Sequence, residues 1–207
     1  MFSEYGIPLE LVEIRPWRRE PQFLEINPAS TVPVLFDAGE PAFVGVLAGI
    51  HAIEERYSPS AVAGLFPAKG SDRAEMWRLL EWTLLKLNDE VTRYVLEEKI
   101  VKRDQAGSTP DPAVLRVAKA NLSEHMAYFN WVLATRHWLA GDSLTLADFG
   151  LAAHLSALDY LGDVHWESAS EVRDWYARLK SRPAFRTLLN DRVAGMPAHQ
   201  GYVDLDF

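Results

Sequence analysis

Along the first part of the chain the spacing of apolar positions changes several times. Residues 7–14 alternate at Leu9, Leu11 and Val12 with one lapse, which predicts a short strand. Residues 20–27 carry Pro21 near their start and Pro28 just beyond their end, the punctuation of a short helix. Thr31–Phe36 predicts a strand opening on Val32-Pro33. Asp37–Glu40 reads as a turn and 42–44 as a second strand, so 32–44 is expected to be a hairpin. Over 46–57 the period becomes helical, with Val46, Leu47, Ile50 and Ile53 on one face.

Residues 58–72 are rich in Pro, Gly and Ser and predict a linker, after which the pattern is helical throughout. Trp77, Leu80, Leu84, Leu87, Val91 and Tyr94 recur at steps of three and four, the stripe of one long amphipathic helix over 73–104. A loop with Gly107, Pro110 and Pro112 follows. A second helix over 112–137 carries Leu115, Ala118, Leu122, Met126 and Phe129. Residues 145–161 are apolar nearly all round, which predicts a central helix. Thr145 and Asp148 stand three apart at its start, a capping-box variant and a structural candidate. Helices at 169–181 and 183–190 are parted by Arg182-Pro183, and 191–207 is a tail. The expected order is a small mixed α/β segment, a linker, then an all-helical segment.

Composition narrows the function. The chain has 207 residues, 48% of them apolar, enough for a sizeable core without disulfide or metal staples. No stretch is long and apolar enough to predict a membrane helix, and the start has neither a basic run nor an apolar core of the signal-peptide type. No cysteine is present, which excludes thiolate catalysis and Cys–zinc sites within these residues and suits the cytoplasm. A net charge of −8 argues against a nucleic-acid binder. The six histidines show no metal-ligand spacing, and no phosphate-binding glycine loop occurs. His154 reads as a satisfied core histidine. Asp89-Glu90 and Glu97-Glu98, the latter with Lys99, Lys102 and Arg103, read as solvated helix faces.

Three patterns in this order resemble the glutathione S-transferase superfamily: Asn27-Pro28 with Val32-Pro33-Val34-Leu35; Leu47-Ala48 with Ile53-Glu54-Glu55-Arg56-Tyr57; and Leu139-Ala140-Gly141-Asp142-Ser143-Leu144-Thr145-Leu146-Ala147-Asp148, followed by Trp175 and Arg182-Pro183-Ala184-Phe185. The resemblance covers almost the whole chain. It implies an α+β, mostly α fold: an incomplete thioredoxin-like domain over 1–57, a linker over 58–72, an all-helical domain over 73–190 and a tail over 191–207. It also implies a cis bond at Val32-Pro33 beside the subsite for the cofactor glutathione.

Two departures from the family pattern bear on function. The family has an acidic residue and a Ser or Thr at the start of the helix after the hairpin, where they hold the glutamyl carboxylate of glutathione. Here those positions are Gly45 and Val46. Losing a hydrogen bond to a charged group costs about 1.5–3 kcal/mol, or roughly ten- to a hundredfold in affinity. Val32, Pro33, Gly45 and Val46 are thus expected to form a vestigial subsite. The second departure is at the start, where Met1–Gly6 resembles the end of the helix that follows the family's first strand. Ser3 and Tyr5 are therefore not the catalytic hydroxyl, no catalytic residue is named, and the strand at 8–13 is expected to lack a neighbour.

Within the superfamily, Arg15–Phe23, Tyr94–Lys99 and the run from Asp191 to Phe207 resemble a branch of dimeric cell-division proteins of alphaproteobacteria. That branch binds and bundles FtsZ filaments and lacks evident transferase activity. The resemblance implies FtsZ as partner, a homodimer, the division site as location and no cofactor. A glutathione-dependent transferase is the alternative. Trp17 with Arg18 and Arg19 has the composition of an interface anchor, or else is a Trp folded onto a sheet edge among solvated arginines. The tail alternates Tyr202, Asp204 and Asp206 with Val203, Leu205 and Phe207. It is expected either to meet a partner or to pack on its own domain.

Overall fold

The computed structural model describes residues 1–37, 39–58, 64–105 and 108–205. The chain divides into two compact units, Phe2–Val62 and Ala63–Phe207, the second including Met1.

The first unit opens with a 3₁₀ turn, Ser3–Tyr5, closed by Gly6 in the left-handed region. A second such turn, Pro16–Arg18, precedes helix α1 (Pro21–Ile26). Strands β1 (Val34–Leu35) and β2 (Phe43–Val44) pair antiparallel, Val34 with Val44 and Leu35 with Phe43. Helix α2 (Val46–Tyr57) packs on the pair. Its buried face is Gly49, Ile50, Ala52 and Ile53, whereas Val46 and Leu47 are exposed. The expected strand at 7–14 does not form. A strand is held by a ladder, and without one the alternation leaves Leu11 79% and Val12 73% exposed.

The second unit is helical. A continuous helix runs from Gly70 to Asp104 as α3 (Gly70–Glu81), a π-bonded stretch (Trp82–Thr92), α4 (Arg93–Leu96), a second π stretch (Glu97–Val101) and α5 (Lys102–Asp104). It begins three residues before the expected start, with Asp72 in its first turn, where a negative charge suits the helix dipole. Its buried positions Thr83, Leu87, Val91 and Val95 are four apart. That spacing, along a widened helix, buries Val95 and leaves Tyr94 exposed, against the expected stripe. Glu98 is likewise buried rather than solvated, accepting from Lys102 Nζ at 2.6 Å and from Asp111 N–H at 2.7 Å, which hold its carboxyl below the usual range.

Helix α6 (Pro112–Leu133) starts on an Asp111 cap, whose side chain accepts from Ala113 N–H. It ends four residues before the expected 137, where a turn closed between Trp138 and Gly141 takes over. Helix α7 (Leu146–Tyr160) is the core, with Leu151, Ala152, Leu155 and Leu158 wholly buried. A Cβ on Gly150 would stand 2.7 Å from Leu80 Cδ1, so glycine permits the approach of α7 to α3. Thr145 and Asp148 cap α7 reciprocally. The Asp148 carboxylate also accepts from Leu139 N–H and Trp175 Nε1, each at 2.9 Å. Helices α8 (Ser170–Lys180) and α9 (Pro183–Arg186) complete the unit. The result is the expected fold class, a small two-stranded α/β unit followed by helices. No helix of the described residues is long and apolar enough to cross a membrane.

Candidate functional site

Three places carry the candidate residues. The first is the start of α2. The Val32–Pro33 bond is cis, and the Pro33 carbonyl accepts from Gly45 N–H at 2.9 Å. Gly45 has φ 92°, a region that excludes most side chains, so the glycine is dictated by the backbone. No side chain caps α2. Val46 puts an exposed isopropyl group on its first turn, beside exposed Leu47. The structure thus brings Val32, Pro33, Gly45 and Val46 together around the strand pair. It offers an anion only backbone N–H groups. Neither a hydroxyl nor a carboxylate stands at these two positions, and the donor set does not fit the glutamyl end of glutathione.

The second place is the Pro16–Arg18 turn. Ser30 Oγ donates to the Pro16 carbonyl at 2.7 Å and pins it. Arg19 follows in the left-handed region, at φ 49°. Trp17 is 36% exposed, and Arg18 and Arg19 are exposed beside it. Asn27, buried, holds the neighbouring loop by donating to the Thr31 carbonyl at 2.8 Å and accepting from Ala29 N–H at 3.1 Å. Its role gives the Asn27-Pro28 pattern a structural reason.

The third is the tail, where the alternating strip needs correction. Residues 201–203 form a turn, and Asp204 N–H donates to the Gly201 carbonyl. Tyr202 is only 2% exposed and is not available to a partner. Its hydroxyl is 2.8 Å from Ser156 Oγ of α7, and its ring meets Tyr160 edge-on at 5.1 Å. The ammonium of buried Lys180 lies 5.9 Å from the Tyr202 ring and 3.8 Å from Asp159. Burial pushes Lys180 down and Asp159 up. Ring burial decides the outcome, because an aromatic side chain gains more from the core than from an open strip. Val203 and Asp204 remain exposed. Asp206 and Phe207 lie outside the described residues.

Sequence spacing missed one further cluster. His125 is buried on α6. Its Nδ1 accepts from Trp82 Nε1 at 3.0 Å, and its Nε2 is 3.0 Å from Glu90 Oε2. Indole N–H only donates, so Nδ1 is the bare nitrogen and Nε2–H faces the carboxylate. Glu90 is therefore not the ordinary solvated acid that its neighbour Asp89 is. The partners stand 35 and 43 residues apart in sequence, beyond any local motif. Trp82 also stacks on Tyr128, centroids 4.3 Å apart.

Comparison with known proteins agrees with this architecture. Family models for the glutathione S-transferase N-terminal and C-terminal domains match residues 1–57 and 104–192. FtsZ-localized protein A of Caulobacter vibrioides is 39% identical over 99% of this chain and 90% of its own length. The crystal structure of a glutathione S-transferase from Sinorhizobium meliloti superposes with a TM-score of 0.94 at 41% identity, covering 100% of this chain and 91% of that one. The structure of FzlA from C. crescentus does so with a TM-score of 0.92 at 38% identity and the same coverage. This chain belongs to the glutathione S-transferase superfamily, in the branch of FtsZ-localized protein A.

Proposed function

We propose that this protein binds FtsZ filaments at the division site and organises them as a homodimer, without catalysing a reaction. The observation that carries the reading is its 39% sequence identity to FtsZ-localized protein A over 99% of the chain. The start of α2 supports it, since the side chains that would hold glutathione are replaced by Gly45 and Val46. The turn at Trp17, Arg18 and Arg19 supplies a cationic, aromatic corner on a chain of net charge −8. Val203 and Asp204 add a second exposed element. Two such surfaces per dimer would cross-link filaments by avidity.

The test is co-pelleting with GTP-assembled FtsZ. The protein is expected in the pellet, with Trp17→Ala and Asp204→Lys reducing its share. No pelleting of the wild-type protein overturns the reading. A glutathione-dependent transferase is the second reading, favoured by the 41% identity to the S. meliloti protein named as one. Retention on immobilised glutathione with turnover of a chlorodinitrobenzene-type electrophile would establish it in place of the first.

A further inference from the structure

The tail is anchored to the helical unit by one buried side chain. From Asp191 to Leu205 the chain forms no helix or strand, only a bridge between Val193 and Met196. Across that length Tyr202 alone is buried. The other ties are hydrogen bonds, and three of them meet at one residue of α7. His199 N–H donates to the Tyr160 carbonyl at 2.8 Å, Tyr160 Oη donates to the Met196 carbonyl at 2.6 Å, and Val193 N–H donates to Tyr160 Oη at 3.0 Å. Arg103 also donates to the Gly195 carbonyl.

Beneath the Tyr202 ring lies a charged pair. Lys180, the last residue of α8, is wholly buried. Its ammonium faces the Tyr202 ring at 5.9 Å and the Tyr176 ring of its own helix at 5.4 Å, with Asp159 Oδ2 of α7 at 3.8 Å. Asp204, on the same turn as Tyr202, adds negative charge to its surroundings. A charge-assisted hydrogen bond spans about 2.7–2.9 Å, so ammonium and carboxylate attract without closing one. Asp159 Oδ1 accepts from Trp166 Nε1 at 2.9 Å, while Oδ2 accepts from no donor among the described residues. Two opposite charges are thus held out of water with incomplete compensation, the arrangement in which desolvation outweighs attraction. Burial pushes the lysine down and the aspartate up, as that arrangement requires.

Docking of the tail therefore has two opposed effects. It removes the Tyr202 ring from water, which is favourable, and it covers Lys180 and Asp159, which is not. Segments with few buried side chains open on their own, apart from global unfolding. We infer that the tail turn at Tyr202 is a latch that opens and closes on the folded protein, and that the buried Lys180–Asp159 pair sets how often it opens. In the open state water reaches both charges while α7 keeps its buried Leu151, Ala152, Leu155 and Leu158. Val203 and Asp204 ride on the same turn. One consequence rests on the proposed function: the latch governs how that element is presented to a filament.

Amide hydrogen exchange of the full chain without FtsZ tests the latch. It compares His199, Tyr202 and Asp204, whose N–H groups are bonded in the docked tail, with Leu151–Leu158 of α7. In the wild type the tail amides are expected to exchange at least about tenfold faster than those of α7, at a rate that low urea barely changes, since a local opening exposes little surface. Tail amides that exchange only together with α7, with the same urea dependence, overturn the latch. Charge deletion tests what sets it. Lys180→Met leaves the carboxylate buried alone and Asp159→Asn leaves the ammonium buried alone, so each is expected to speed tail exchange by at least about tenfold. The double variant removes both charges at similar volume, and its tail is expected to exchange more slowly than that of the wild type. Single variants no faster than the wild type, or a double variant no slower, overturn the role of the pair. Circular dichroism checks each fold, and the wild-type urea series decides the latch by itself where a variant does not fold. Because no FtsZ is present, failure of the latch leaves filament binding to the pelleting assay.

Discussion

His154 shows how burial alone retunes a side chain. Its Nδ1 lies 2.8 Å from Thr92 Oγ1, and desolvation lowers the imidazole to about 4. In the unfolded chain the same group titrates near 6.5. The folded value is the lower one, so its contribution is intact above about 6.5 and is lost as pH falls towards 4, amounting to ~3 kcal/mol by linkage. Urea denaturation is expected to show that decline in the wild type, and His154→Gln to lack the component. At Asp148 the effect is structural rather than titrational. Burial pushes its carboxyl up, opposed by the bonds from Leu139, Trp175 and Thr145. Asp148→Ala would leave those donors unpaired in the core, and a loss of about 3–5 kcal/mol in the denaturation free energy is expected.

Under the proposed function, helix starts and chain ends are where this protein differs from a transferase. At α2, Val46→Ser would return a hydroxyl to the first turn without altering Gly45, whose φ forbids a ready change. A hydrogen bond to a carboxylate is worth about 1.5–3 kcal/mol, so glutathione affinity by calorimetry should rise roughly ten- to a hundredfold. In the tail, Tyr202 is the anchor. Tyr202→Phe removes the bond to Ser156 and should cost about 1 kcal/mol. Tyr202→Ala empties a buried ring site and should cost about 3–5 kcal/mol. Amide exchange over 188–205 is expected to accelerate modestly in the first variant and strongly in the second. The alternation of residues 202–207 could not separate a docked tail from a free strip, because both share that pattern. The strand expected at 7–14 failed for a related reason, since alternation marks a strand only where a neighbour completes the ladder.

For the whole molecule, the proposed function joins a cationic corner to a two-fold assembly. Filament binding through Arg18 and Arg19 is expected to fall as salt rises, since exposed charges are screened beyond ~8–10 Å at physiological ionic strength. Pelleting across a salt series measures this. A monomeric variant should still coat single filaments but lose the ability to bundle them, because cross-linking needs two sites in one particle. Electron microscopy of FtsZ with each variant distinguishes the two outcomes.

Helical periodicity placed α2, the long helix, α6, α7 and α8 to within a few residues, because each buries a face whose spacing is written locally. The ordered motifs from Val32-Pro33 to Arg182-Pro183 were enough to reach the family. The absence of a hydroxyl at Val46 was equally plain, since it depends on residue type at one place. Contacts between distant residues were not legible. Tyr202 on Ser156, Glu90 on His125 and Glu98 on Asp111 join groups 46, 35 and 13 residues apart, and no periodicity encodes such partners. Nor did the pattern foresee the π-bonded stretches that turned Val95 inward and Tyr94 outward. Local spacing sets which faces are apolar, but the packing of helices against one another settles which of those faces are covered and which remain for a partner.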